Sequence, residues 1–356
     1  MTLHADNAIS TSPLFLAWQQ LLQQQPRLRT RDVAEQLAVS EAELIASRLG
    51  LDTLRLRPHW TELLPALESL GRVMVLTRNE HCVHERKGVY RETTVAASGK
   101  MGLVVSPDID LRLFLSGWHS LFAVEQQTAR GLQRSLQVFD QQGVAVHKVF
   151  LTEHSDLDAW GALLARFAEA DQSRELGLQP APARAAERDD RQVDTAALAE
   201  DWSKLKDVHH FHAMLNRNQV GRLQALRLVG RQWAEPLATG ALPDVMTAAA
   251  AQKLPIMVFV GNRHCIQIHT GPVHDLRWVG DWFNVLDTDF NLHLKMPAVA
   301  QLWRVRKPST DGIITSWEAF DANGELILQL FGARKPGQPE LEAWRGLAET
   351  APALEG

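Results

Sequence analysis

The chain has 356 residues, 45% of them hydrophobic and 22% charged, with a formal net charge of −5. This is enough chain for a large core, normally as two domains or one fused pair, and the negative balance gives no general attraction to nucleic acid. Two cysteines far apart in sequence imply no disulfide framework and suit a reducing compartment, residues 1–30 lack the basic and apolar regions of a signal peptide, and no run of about twenty apolar residues predicts a membrane span.

In chain order the pattern is helix, sheet, helix, twice. Residues 14–25 and 31–49 carry helical spacing, with Thr30 as a candidate N-cap and Gly50 as a stop. A further helix is predicted over 60–70. Short β-rich runs follow at 73–77, 88–96, 102–105, 111–115, 121–126, 136–139 and 144–150. Residues 140–143 form the expected hairpin turn between the last two. Helical spacing returns over 156–169. Residues 171–198, rich in Ala, Pro, Arg, Asp and Gln, read as a linker. The second half then runs through helices over about 202–252, strands from 256 to 331, and a closing helix after Pro339.

Matched segments support a duplication. Arg78-Asn79-Glu80-His81-Cys82-Val83 reappears as Gly261-Asn262-Arg263-His264-Cys265-Ile266. The segment Asp108-Ile109-Asp110-Leu111-Arg112-Leu113-Phe114-Leu115 matches Asp287-Thr288-Asp289-Phe290-Asn291-Leu292-His293-Leu294. Phe139-Asp140 matches Phe320-Asp321, and Asp156-Leu157-Asp158-Ala159-Trp160 matches Glu340-Leu341-Glu342-Ala343-Trp344. Successive strands with short turns imply antiparallel pairing. The predicted fold is α+β: a tandem repeat with two large antiparallel sheets packed together and helices attached to each half. The predicted division is 1–170 for the first repeat, 171–198 for the linker and 199–356 for the second repeat.

Three of the fourteen histidines fall in the segment Asp207-Val208-His209-His210-Phe211-His212, at the start of an expected amphipathic helix. Asp32-Val33-Ala34-Glu35-Gln36-Leu37 is its matched segment in the first half, with Ala34 opposite His209. Val208, Phe211 and Leu215 form an apolar stripe, and His209 and His212, at i and i+3, share an adjacent face. His210 is turned by about 100° from His209. Arg217, Arg222 and Arg227 follow closely. Imidazoles beside arginines suit a ligand with a metal and carboxylates, and haem is such a ligand: nitrogen binds iron, apolar groups cover the porphyrin, guanidinium groups pair with propionates. Solvated histidines on a helix surface would show the same spacing.

The duplicated layout, the Asp207-Val208-His209 helix, the strand Asp110-Leu111-Arg112-Leu113-Phe114 and the late segment Phe331-Gly332-Ala333-Arg334-Lys335 resemble the cytoplasmic haem-trafficking and haemin-degrading proteins of the HemS/ChuS/PhuS family. The resemblance runs from about residue 14 to residue 348, and the clustered histidines are most similar to the PhuS branch. It implies haem b as the ligand, one per chain, with His209 as the axial iron ligand and His210 and His212 as extra histidines, His212 being the alternative ligand. It implies a distal role for Arg112, with Phe114 two residues later. Arg222 and Arg334 fall on positions that contact the haem edge, and Phe259, Lys307 and Gln329 on other pocket positions. Members differ at the position of Leu328, where some carry tyrosine.

The resemblance further implies a cytoplasmic protein of iron acquisition that sequesters imported haem and passes it to a haem oxygenase, with the inner-membrane haem importer as a further partner and a monomer or dimer as its state. Two other readings stand beside it. Some members degrade haem with an external reductant and O₂. Residues 31–49 also have a helix–turn–helix look, which would suit a haem-responsive DNA-binding regulator, although Glu41 and Glu43 sit where phosphate contacts would be made. Cys82 and Cys265 follow histidines but form no CxxC or CxxCH, so they fit strand packing better than zinc or covalent haem attachment.

Overall fold

The computed structural model describes residues 12–129, 131–183, 186–335 and 337–354. The first eleven residues, on which the signal-peptide expectation partly rests, lie outside this set. The first half contains α1 (Pro13–Gln24), α2 (Thr30–Gln36), α3 (Glu41–Ala46), β1 (Thr53–Leu56), α4 (Trp60–Ala66), β2 (Gly71–Arg78), β3 (Cys82–Gly88), β4 (Thr93–Val95), β5 (Met101–Val105), β6 (Asp110–Phe114), β7 (Trp118–Thr128), β8 (Gly131–Asp140), β9 (Ala145–Ser155) and α5 (Leu157–Phe167). The second half contains α6 (Thr195–Ser203), a 3₁₀ turn (Val208–His210), α7 (Phe211–Arg217), α8 (Arg222–Leu228), β10 (Ala234–Leu237), α9 (Ala241–Ala251), β11 (Ile256–Asn262), β12 (Cys265–Gly271), β13 (Leu276–Val279), β14 (Trp282–Leu286), β15 (Phe290–Lys295), β16 (Gln301–Ser309), β17 (Gly312–Phe320), β18 (Leu326–Gly332) and α10 (Glu342–Ala348). Three helices, a strand, a helix, eight strands and a helix thus occur twice in the same order.

The strands belong to two nine-stranded sheets, so the α+β fold with two large antiparallel sheets holds. The chain divides into two compact units. The first comprises the described residues up to Arg78, then Glu85–Pro182 and Asn262–Gln267; the second comprises Asn79–His84, Ala183–Gly261 and the described residues from Ile268 onward. Each unit therefore includes a short segment from the other half of the sequence. Cys82 packs in the second unit's core and Cys265 in the first unit's. Both thiols are buried and form no disulfide. Burial pushes the Cys82 thiol up, and lifts that of Cys265 to about 12, so both stay protonated and inert.

In the first unit β1-β7-β8-β9-β2 are neighbours in that order, as are β6-β5-β4. One face packs Leu64, Val75, Leu113, Leu136 and Trp160. Trp18, Val33, Ile45, Phe122 and Phe139 form a separate cluster under α1–α3. The second unit repeats this with β10-β16-β17-β18-β11 and β15-β14-β13. There Met246, Val258, Leu292, Trp317 and Trp344 form one core. Trp202, Phe211, Leu226, Val305 and Phe320 form another under α6–α8.

Local chemistry sets the boundaries. Ser40 and Glu43 close α3 with a capping box: Glu43 N donates to Ser40 Oγ at 3.2 Å and Ser40 N to Glu43 Oε2 at 2.8 Å. Asp156 caps α5 by accepting from Asp158 N and Ala159 N, each at 2.9 Å. The 140–143 hairpin is confirmed, with Asp140 N donating to Val144 O and Gly143 at φ 77°, a left-handed conformation that favours glycine.

Several sequence expectations are corrected. Arg29, not Thr30, holds the N-cap position of α2. Of the strand expected over 88–96, only Gly88, the last residue of β3, and Thr93–Val95 (β4) are strand, and β3 over Cys82–Gly88 was not expected. β3 was hidden because it turns His84 and Arg86 inward, so its alternation is not apolar–polar. The segment 171–198 gives way to α6 from Thr195, whose cap Asp194 accepts from Ala197 N at 2.9 Å. α3 buries Glu41, Ala42, Leu44, Ile45 and Ala46, the packing of a helical pair against its sheet. Glu41 accepts from Arg78 and from Lys148, which removes it from any groove-facing surface.

Candidate functional site

The second unit's central strand β17 lies between β16 and β18 and is buried along nearly its whole length. Side chains alternate across it. Trp317 and Ala319 enter the core shared with Trp344, whereas Phe320 packs under α6–α8. Glu318, two residues before Phe320, therefore faces the helical side, and it is fully buried. Register puts Trp303, Glu318, Gln329 and Phe259 in one cross-strand row. Leu328 points the other way, into the core around Trp344. The position at which family members were expected to vary is thus not on this face.

Glu318 gathers its neighbours. Lys307 Nζ donates to Glu318 Oε1 at 2.5 Å, Gln329 Nε2 to the same oxygen at 3.0 Å, and Ser316 Oγ at 3.1 Å. Arg222, the first residue of α8, donates Nη1 to Glu318 Oε2 at 2.7 Å. Burial alone would raise the Glu318 carboxyl; the Arg222 and Lys307 charges outweigh it and hold it at about 2. Burial pulls Lys307 down to about 8 against the pull of Glu318, which leaves the ammonium mostly protonated at neutral pH. Phe211 of α7 roofs the cluster, 4.5 Å from Lys307 Nζ and 5.0 Å from the Arg222 guanidinium, in cation–π geometry. Phe259 and Phe331 extend the apolar wall, with ring centroids 5.0 Å apart.

Two residues before Phe211 stands His209. The expected helix start is a 3₁₀ turn, Val208–His210, and α7 begins at Phe211. Asp207 causes this: its carboxylate accepts from His209 N at 2.9 Å and from His209 Nδ1 at 2.7 Å. The first bond caps the turn; the second holds the ring by Nδ1 and leaves Nε2 as the nitrogen that Asp207 does not engage. The His209 side chain is 75% exposed. The backbone hydrogen bond from His209 holds the Asp207 carboxyl below its ordinary value, with the His209 ring as a lesser cause. His210 and His212 are exposed as well. Among the described residues no cluster of three or more His, Cys, Asp or Glu side chains could hold a metal ion. A single oriented imidazole suits an iron already held by a porphyrin.

The β16–β17 hairpin ties Arg334 to the same region. Thr310 N donates to Lys206 O at 3.0 Å, beside Asp207. The next residue, Asp311, accepts from Arg334 Nη2 at 3.2 Å. Arg334 Nη1 is buried with no hydrogen-bond partner among the described residues. The structure brings Arg222, Lys307 and Gln329 together on Glu318, with Phe259 in the same cross-strand row; His209 and Arg334 lie in the same unit. Arg112 and Phe114 belong to the first unit. They share one face of β6 with Asp110, which accepts from Arg112, while Leu111 and Leu113 are buried in the core.

The repeat equivalence must be shifted. Ala38 and Gln219 both adopt φ 53°, and Val39 N→Ala34 O is matched by Val220 N→Leu215 O. Ala34 therefore corresponds to Leu215, not to His209, whose counterpart is Leu28. The apolar segment match failed because the 3₁₀ turn, not the helix, carries the imidazole. By the same hairpin and helix starts, Glu41, Gln137 and Lys148 take the places of Arg222, Glu318 and Gln329. There Glu41 is closed off by Lys148 and Arg78.

The family model for the haemin-degrading HemS.ChuX domain matches residues 38–167 and again 219–351. The chain belongs to the HemS family. The hemin transport protein HmuS of Yersinia pestis is 40% identical over 93% of this chain and 95% of its own length. The crystal structure of holo-PhuS, a heme-binding protein from Pseudomonas aeruginosa, has 64% sequence identity and a TM-score of 0.95 over 97% of this chain and 100% of that one. The heme degrading enzyme ChuS of Escherichia coli O157:H7 has 37% identity and a TM-score of 0.89, covering 96% of this chain and 99% of its own. The double match of the family model follows the two copies of the element order.

Sequence reasoning did not single out Glu318 or Asp311, and it named Asp207 only as part of the Asp207-Val208-His209 motif. Glu318 had a signal: one carboxylate inside the otherwise apolar run Trp317-Glu318-Ala319-Phe320. A buried acid in a central strand requires cationic partners.

Proposed function

We propose that this chain binds one haem b in the cytoplasm, through His209 and the cationic face of the second unit, and delivers it to a haem oxygenase. The observation that carries this reading is the Asp207–His209 pair, which holds an exposed imidazole by its Nδ1 two residues before Phe211, the ring that covers Arg222 and Lys307. Iron accepts the imidazole nitrogen; the phenyl groups of Phe259 and Phe331 offer apolar cover; Arg222 and Arg334 offer donors to propionates. His212 is the alternative ligand and His210 a flanking imidazole. The match to a hemin transport protein and to a heme-binding protein supports cargo handling. Among the described residues no helix is long and apolar enough to cross a membrane; the inner-membrane haem importer is a further partner in this reading.

Covering one porphyrin face of roughly 300–400 Å² is worth about 8–10 kcal/mol gross at 25 cal/mol per Å², before the costs of association. With one iron–imidazole bond, that gives holding that is tight yet reversible. The likeness to ChuS favours a second reading, oxidative haem degradation. Stopped-flow transfer separates the two. Holo-protein is mixed with a haem oxygenase or with apomyoglobin as a passive trap, and in parallel with a reductant under air and catalase. A carrier yields haem faster to the oxygenase than to the trap and keeps its Soret band under reductant. Equal rates to both acceptors, or conversion to a discrete linear tetrapyrrole, contradict the carrier reading.

A further inference from the structure

We infer that Glu318 is a built-in counter-anion that competes with ligand carboxylates for Arg222, and so sets how strongly the site selects porphyrins bearing free carboxylates. The inference rests on the haem-binding reading above and adds to it a specificity-determining residue.

The geometry is that of a buried carboxylate whose acceptor sites are all engaged. Glu318 is fully buried and takes hydrogen bonds from Lys307, Gln329, Ser316 and Arg222. Lys307 lies deep, with a side chain 3% exposed, so its charge is matched chiefly by Glu318. Arg222 differs. Its side chain is 28% exposed, and only Nη1 is donated to Glu318. A guanidinium has five N–H donors, so its open edge remains available to an incoming carboxylate. That carboxylate meets an attractive guanidinium and, behind it, the like charge of Glu318. Two cations against one carboxylate leave one positive charge in surplus, enough to welcome an anion and too little to hold it as an unpaired arginine would.

The first unit shows what this strand position tolerates. Gln137 occupies the equivalent place in β8, buried beside Lys148 in register. A glutamine at 318 thus keeps the shape and a carbonyl acceptor for Lys307 while removing the negative charge. It releases Arg222 Nη1 and abolishes the repulsion.

The test measures two affinities for the full-length protein, for haemin and for haemin dimethyl ester, whose carboxylates are blocked. The quantity read is the ratio of the ester's Kd to that of the free acid, at low ionic strength and pH 6.5 to favour the protonated Lys307. In Glu318→Gln the ratio rises about fivefold, the upper size of a partly exposed ion pair. Glu318→Asp keeps the buried charge, and with it the partner of Lys307, but draws the carboxylate back from Arg222. It raises the ratio by about twofold and serves where Glu318→Gln does not fold. An unchanged or lower ratio in the folded variant overturns the inference while leaving haem binding intact. Wild-type protein that takes up neither porphyrin overturns the haem reading, and this inference with it.

Discussion

At the scale of single residues, the account depends on how one imidazole is aimed. Asp207 caps the turn and holds His209 Nδ1 with the same carboxylate oxygen, leaving Nε2 as the nitrogen it does not engage. His209→Ala is expected to shift the Soret maximum and speed haem loss, more than His210→Ala does; His212 is exposed one turn on, so His209→Ala/His212→Ala is the stricter variant. An unchanged spectrum in both removes this turn from the site. Asp207→Ala, which leaves every imidazole in place, should weaken haem retention about tenfold, as loss of an orienting partner does; retention at the wild-type level would show that His209 is not oriented by it. The histidine cluster was legible in sequence because three imidazoles in four residues are rare and sit beside an apolar stripe. Asp207 was legible only as part of a motif, since its work is done by one side chain bonding to both a backbone and a ring nitrogen. Glu318 was overlooked because a carboxylate in a strand is ordinarily solvated, and only the strand order shows that β17 is covered on both sides.

At the scale of elements, the second unit's sheet holds a charge cluster where apolar residues would suffice. Its cost and its pH dependence are measurable. Glu318→Gln should destabilise the protein by about 3 kcal/mol at pH 7, because it leaves Lys307 buried without its counter-charge. The sign with pH follows from the depressed carboxyl. Glu318 ionises at about 2 in the fold against an ordinary value near 4.5, so the stability it contributes is present above about 4.5 and lost as pH falls toward 2. The gap in melting temperature between wild type and Glu318→Gln should therefore shrink between pH 5 and pH 2.5; a constant gap would mean that this carboxylate is not held ionised by Arg222 and Lys307. Helices, hairpins and most strands were legible from periodicity and turn residues. β3 was not, because it buries His84 and Arg86. The His209–Ala34 pairing was not either. Alignment by residue type favoured Asp-Val in both halves, whereas the backbone, through matched left-handed Ala38 and Gln219, fixes Leu28 as the counterpart.

At the scale of the whole molecule, two copies of one element order have diverged into one candidate site. The first unit keeps the scaffold but places Leu28, Glu41, Gln137 and Lys148 where the second has His209, Arg222, Glu318 and Gln329, and closes Glu41 with Lys148 and Arg78. The duplication was visible in collinear segments; the exchange of Asn79–His84 and Asn262–Gln267 between units was not, since contact membership leaves no trace in residue order. It carries a prediction. A fragment of residues 199–356 lacks Asn79–His84, and so lacks Cys82 from the second unit's core. It should melt well below the full chain and respond to added peptide 79–84 poorly or not at all; a fragment as stable as the intact protein would contradict that assignment. The central claim, one haem held by the imidazole of the second unit, is tested most directly by an absorption titration of the full-length apoprotein with haemin, run beside His209→Ala/His212→Ala. The account predicts a sharp Soret breakpoint at one haem per chain for the wild type and a displaced, weakly retained band for the double variant. Two equivalent haems per chain, or identical curves for the two proteins, would contradict it.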